Sequence, residues 1–125
     1  MKKLIYSIAF LVVMTFTIGC KKTNTTPVVG FWAGTAIPTG LSTTNFEMLY
    51  KADGSLRAFS GNTDTTIATS ASGTYVVSAD SVRASVVQSS TTLIIAGKQN
   101  GTNMKGTFYS IAGTPVTGTF DVTRQ

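Results

Sequence analysis

The stretch VTGTFDVTR, Val116–Arg124, decides the fold. Val116, Gly118, Phe120 and Val122 alternate with Thr117, Thr119, Asp121 and Thr123. Successive side chains of a strand point to opposite faces of a sheet. This segment therefore offers one apolar face and one face of threonine and charge. The same period recurs upstream. Met104, Gly106 and Phe108 oppose Lys105, Thr107 and Tyr109. Phe46, Met48 and Tyr50 oppose Glu47, Leu49 and Lys51, and Val82, Ala84 and Val86 oppose Arg83, Ser85 and Val87. From Val28 onward no run has convincing helical spacing. Thr, Val, Ile, Tyr and Phe, which suit a pleated surface, dominate.

Eight strands are predicted, at Val28–Ile37, Thr44–Lys51, Ser55–Ser60, Gly73–Ser78, Ser81–Gln88, Thr91–Gly97, Asn103–Ser110 and Val116–Arg124. The breaks between them carry turn chemistry. Asp53-Gly54 and Asn100-Gly101 tolerate the positive φ that tight hairpins need. Gly61–Ser72, GNTDTTIATSAS, reads as an extended loop. Short connections make consecutive strands pair, and one apolar face suits an antiparallel sheet with one wet side. The expected fold is all-β: an up-and-down meander of about eight strands, closed or nearly closed into a small barrel. A two-sheet sandwich is the alternative, and periodicity does not separate the two. Gly30, Gly34, Gly106 and Gly118 fall among inward positions, where glycine marks a bend or a close approach. This favours the barrel.

Gly30-Phe31-Trp32, followed by Ala33-Gly34-Thr35, resembles the first-strand G-x-W signature of lipocalins and related calycins. The resemblance implies that an arginine at the end of the last strand packs over the tryptophan and closes one end of the barrel. Arg124 shares the parity of Phe120 and Val122, so Gly30, Trp32 and Arg124 are the expected closure residues, with a cation–π contact between the last two. The W-x-G-T start, the KADGSL hairpin and three glycine-threonine-aromatic strands also resemble small lipocalin-like lipoproteins of Gram-negative bacteria. The domain is shorter than a typical lipocalin, and neither a C-terminal helix nor the family's mid-chain motif is evident.

The amino terminus reads differently. Met1-Lys2-Lys3 precedes an uncharged run of 15 residues, Leu4–Ile18. A bilayer-spanning helix needs about 20 apolar residues, so this length suits a signal peptide. The run ends in Thr17-Ile18-Gly19-Cys20, which resembles a bacterial lipobox. The resemblance implies cleavage after Gly19, lipidation of Cys20 by a diacylglycerol and acylation of the new amino terminus, palmitate being a typical chain. Two or more acyl chains give stable anchoring. The expected organisation is a lipoprotein signal peptide at 1–19, lipidated Cys20 with a polar tether at 20–27, and a lipocalin-like domain at 28–125. Lys21 and Lys22 follow the cysteine where an aspartate would signal retention at the inner membrane. The expected location is therefore the cell envelope, in the outer membrane facing the periplasm.

Charge and chemistry narrow the function. The net charge of +5 falls to +3 without Lys2 and Lys3, and to +1 without Lys21 and Lys22. So small an excess on the folded part argues against a nucleic-acid partner. The chain has no histidine and a single cysteine, which removes Ser–His and Cys–His nucleophile systems, His- or Cys-based zinc sites and a disulfide framework. No catalytic residue, cofactor or metal is expected, and the chain does not read as an enzyme. Asp64-Thr65-Thr66 and Asp80-Ser81-Val82 resemble acceptor tripeptides for O-glycosylation in some Gram-negative bacteria, at Thr65 and Ser81.

Two functions stand. In the first, a lipid-anchored barrel holds a small apolar ligand, with Trp32, Phe46, Met48, Tyr50, Val82, Met104 and Phe108 as interior candidates. In the second, the core is filled, and the protein is a structural or interaction lipoprotein of the envelope. Its threonine-rich face, with Leu49, Ile67, Val87 and Tyr109, would then meet an envelope protein or a glycan.

Overall fold

A computed structural model describes residues 27–125. The expected signal peptide, Cys20 and nearly all of the expected tether lie outside the described residues. Eight strands follow one another: β1 (Gly30–Pro38), β2 (Thr44–Tyr50), β3 (Ser55–Ser60), β4 (Thr69–Ser78), β5 (Ser81–Gln88), β6 (Thr91–Asn100), β7 (Asn103–Ala112) and β8 (Thr117–Arg124). Each pairs antiparallel with the next, and β1 pairs with β8 to close a barrel. The meander is thus a barrel and not a sandwich. The seam is as long as a hairpin: Trp32 to Pro38 lie opposite Arg124 to Gly118. Closure leaves no free sheet edge.

Most strand limits agree with the alternation to within a few residues. The main difference is β4, which starts at Thr69 rather than Gly73. Thr69, Ser70, Ala71 and Ser72 are small and mostly polar, so local propensity is silent there. They become a strand because β3 offers Ser60, Phe59, Ala58 and Arg57 as partners. The expected loop shrinks to residues 61–68. β6 likewise extends to Asn100, paired with β7.

Two glycines show how so tight a curve is accommodated. A Cβ on Gly73 would lie 1.7 Å from the Ser85 carbonyl oxygen, and one on Gly106 would lie 2.0 Å from that of Ala96. Only glycine permits this approach of neighbouring strands. A bulge in β7 adds to the curvature: Thr92 faces Ala112 and Leu93 faces Ser110, which leaves Ile111 as the extra residue.

The inward faces merge into one core cluster running from Val28 to Val122 in sequence. Trp32, Met48, Tyr50, Leu56, Val86, Met104 and Val122 are its most fully buried large members. All eight strands contribute to it.

Candidate functional site

The two ends of the barrel differ. One end carries the hairpins at 51–54, 79–80 and 101–102 together with both termini. Here the large inward side chains sit. Trp32 is wholly buried, and its Nε1 donates to the Val28 carbonyl at 2.8 Å. Arg124 stands directly opposite Trp32 across the seam. Its guanidinium donates through Nη1 to the Pro27 carbonyl and through Nη2 to that of Val29 at 2.6 Å. Gly30, at φ 135°, lets the chain turn beneath this group; a Cβ there would be 3.2 Å from Arg124 Nη2. Gly30, Trp32 and Arg124 therefore meet, but through main-chain carbonyls. Among the described residues the cation–π pair is Arg57 over Phe59, elsewhere on the barrel.

Behind Trp32, the Tyr50 hydroxyl donates to Met48 Sδ at 3.2 Å and approaches Met104 Sδ at 3.8 Å. Thioether sulfur is a weak acceptor. Burial, with Tyr75 adding to it, pushes the Tyr50 hydroxyl well above the usual phenol range. Tyr75 meets the Tyr50 ring edge-on at 4.8 Å and donates its hydroxyl to the Lys51 carbonyl at 2.7 Å. Sulfur, indole and phenol fill this end.

The opposite end holds a cavity of about 330 Å³. Its walls are Phe46, Val86, Ile95 and Phe108, with Leu93 and Val116 toward the outside. The space exists because three inward positions are alanine: Ala36, Ala58 and Ala71. Ala58 and Ala71 face each other directly across β3 and β4. Thr44, Ser60, Thr69, Gln88, Thr91 and Thr114 line it nearer the strand ends. Phe46 packs on Phe108 and Phe120, with centroids 6.3 and 5.6 Å apart, and so separates the cavity from the filled end. Lining residues flank the connections at 39–43, 61–68 and 89–90 and lie within 113–116, so the cavity opens there.

The seven interior candidates divide between these ends. Phe46 and Phe108 line the cavity. Trp32, Met48, Tyr50, Val82 and Met104 are buried without lining it. Sequence reasoning did not single out the three alanines. Their only signal was small size at inward parity, which alternation treats as ordinary core.

The outer face brings one correction. Glu47 has outward parity and was expected on the polar face. It is only 5% exposed, and its Oε2 has no hydrogen-bond partner among the described residues. Its cross-strand neighbours are Ala33 and Phe59, and Phe59 is buried too. The carboxyl thus occupies an apolar row, and burial pushes its pKa up. Of the proposed interaction residues, Ile67 and Val87 are exposed, Leu49 is half-buried, and Tyr109 accepts a hydrogen bond from Arg83 Nη2 at 3.0 Å. Thr65 and Ser81 are both half-buried, the first in the 61–68 connection and the second at the start of β5.

No protein-family model matches this chain, and no curated protein or solved structure matches it either. The closed eight-stranded antiparallel barrel is consistent with a lipocalin-like barrel. The cavity itself carries the functional argument.

Proposed function

We propose that this protein is a lipid-anchored binding protein of the bacterial envelope, whose barrel holds a small apolar ligand. The observation that carries the reading is the apolar cavity of about 330 Å³ at one end of an otherwise filled barrel. Eight-stranded barrels are just wide enough to be filled by side chains or to hold one small ligand. Here three alanines leave room in half of the interior. The volume lies at the small end of the range for ligand pockets, roughly 300–1,000 Å³.

The lipobox-like Thr17–Cys20 supports anchoring through acyl chains on Cys20, and Lys21-Lys22 supports the outer membrane, facing the periplasm. Pro27 enters at the filled end, beside Arg124. Seven tether residues, 20–26, reach at most about 25 Å when extended. That end would face the anchoring membrane, with the cavity opening away from it. The lipocalin-like G-x-W at Gly30–Trp32 supports a relation to that family. The reading is of binding alone. Thr65 and Ser81 are proposed as O-glycosylation sites on their tripeptides alone.

Native mass spectrometry of residues 21–125, purified from the periplasm, tests the reading. A reproducible adduct is expected, lost in an Ala71→Leu variant that still melts cooperatively. A bare apo mass, with no uptake of added apolar probes, would sink it and favour the interaction lipoprotein.

A further inference from the structure

Charge is divided unevenly along the barrel axis. The described basic residues are Lys51, Arg57, Arg83, Lys98, Lys105 and Arg124. Each lies in the half of its strand nearer the filled end, or in a connection there. The connections around the cavity opening, residues 39–43, 61–68, 89–90 and 113–116, contain one charged residue, Asp64. Its carboxylate already accepts the Thr66 N–H at 2.9 Å and the Thr66 hydroxyl at 2.6 Å. The cavity lining contains no charged residue.

The surround of the opening is polar without charge, then apolar. Hydroxyls and one amide line it: Thr44, Ser60, Thr69, Gln88, Thr91 and Thr114. Outside them Ile37, Leu41, Ile67, Val87 and Ile111 are exposed, Ile111 being the bulged residue of β7. Five of the eight exposed large aliphatics among the described residues thus cluster at one end. A ligand leaving its tail in the cavity places its head among these hydroxyls. An ionised head loses hydration there, and the lining itself offers it no countercharge. A hydroxyl head both donates and accepts with Thr, Ser and Gln at no such cost.

We propose that the ligand is an uncharged amphiphile: a single apolar chain carrying a hydroxyl-type head, which the opening selects over ionised heads on the same chain. This rests on the cavity being a ligand site, and the test separates the two ideas.

Residues 21–125 would be titrated calorimetrically with 1-dodecanol, dodecanoate and dodecyltrimethylammonium at about pH 8, where a carboxyl of ordinary pKa is ionised. Dodecanol is expected to bind at least about tenfold more tightly than either ion, roughly 1.4 kcal/mol. Near pH 4, protonation should bring dodecanoate toward the alcohol. Equal or tighter binding of either ion at pH 8 overturns the selectivity while leaving the cavity as a ligand site. Binding of none of the three counts against the ligand site itself. Dodecanol binding that persists in Ala71→Leu places the alcohol outside the cavity and overturns the proposal.

Discussion

Trp32 and Arg124 face each other across the β1–β8 seam and share three successive carbonyls. Arg124 takes those of Pro27 and Val29, and Trp32 takes that of Val28 between them. The first and last strands are thereby tied not only by their ladder but through the segment that precedes the barrel. Were residues 20–26 a tether to a membrane, any pull on it would reach this knot first.

Arg124→Ala should therefore loosen the entry of the chain more than the barrel. The two lost hydrogen bonds have a charged donor, which places the cost at about 1.5–3 kcal/mol before discounting for the partial exposure of the guanidinium. Amide exchange should accelerate at residues 28–31 and remain slow in β4 to β6. Arg124→Lys should recover little, because an ammonium does not offer two donors in a fixed fork. Uniform acceleration across all strands would contradict a local role.

Trp32→Phe keeps an aromatic ring in the filled end but leaves the Val28 carbonyl without its buried donor. A loss of about 1–3 kcal/mol is expected in denaturant unfolding. Ligand affinity should not change, because Trp32 does not line the cavity. Loss of binding in a folded Trp32→Phe protein would move the site to the other end of the barrel.

Gly118→Ala should affect both stability and binding. A Cβ there would come within 2.4 Å of Phe108 Cζ and 2.5 Å of the Ile37 carbonyl oxygen. Moving the Phe108 ring, a wall of the cavity, relieves only the first contact, so the backbone at Ile37 must shift as well. Overpacking of this kind costs about 1–3 kcal/mol. The expected readout is a lower melting temperature together with weaker ligand uptake. Unchanged uptake would mean that the wall at Phe108 does not contact ligand.

Glu47 should give stability a distinctive pH dependence. Its folded pKa is raised, so between the unfolded and folded values the native state holds more protons. Stability from this group therefore falls as pH rises through that window. Asp53, Asp64 and Asp121, whose pKa values are lowered by hydrogen bonds from Ser55, Thr66 and Asn103 respectively, act in the opposite sense and lose stability as pH falls. Glu47→Gln isolates the first effect. At neutral pH the variant should be the more stable and melt at a higher temperature, because it removes a poorly solvated charge. Near pH 3, where both side chains are neutral, the gain should vanish. A constant difference across pH would show that the charge is not the cause.

The alternation in Val116–Arg124 made β8 legible, and the same period exposed β2, β5 and β7. Thr69–Ser72 was not legible, because four small residues have little preference of their own and take strand geometry from β3. Inward parity placed Trp32, Phe46, Met48, Tyr50, Val82, Met104 and Phe108 together, since all are equally apolar and equally in phase. It did not separate the two that line the cavity from the five that do not.

The sequence by itself determined the strands, their inward faces and the meander, because the two-residue period belongs to the local backbone and short turns pair neighbours. Tertiary structure alone decided depth: which inward residues plug the filled end, which alanines leave space, and why outward Glu47 is buried. Depth along a barrel depends on register and curvature summed over all eight strands and on the closing β1–β8 seam. Those are relations between residues far apart in the chain, and no local pattern encodes them.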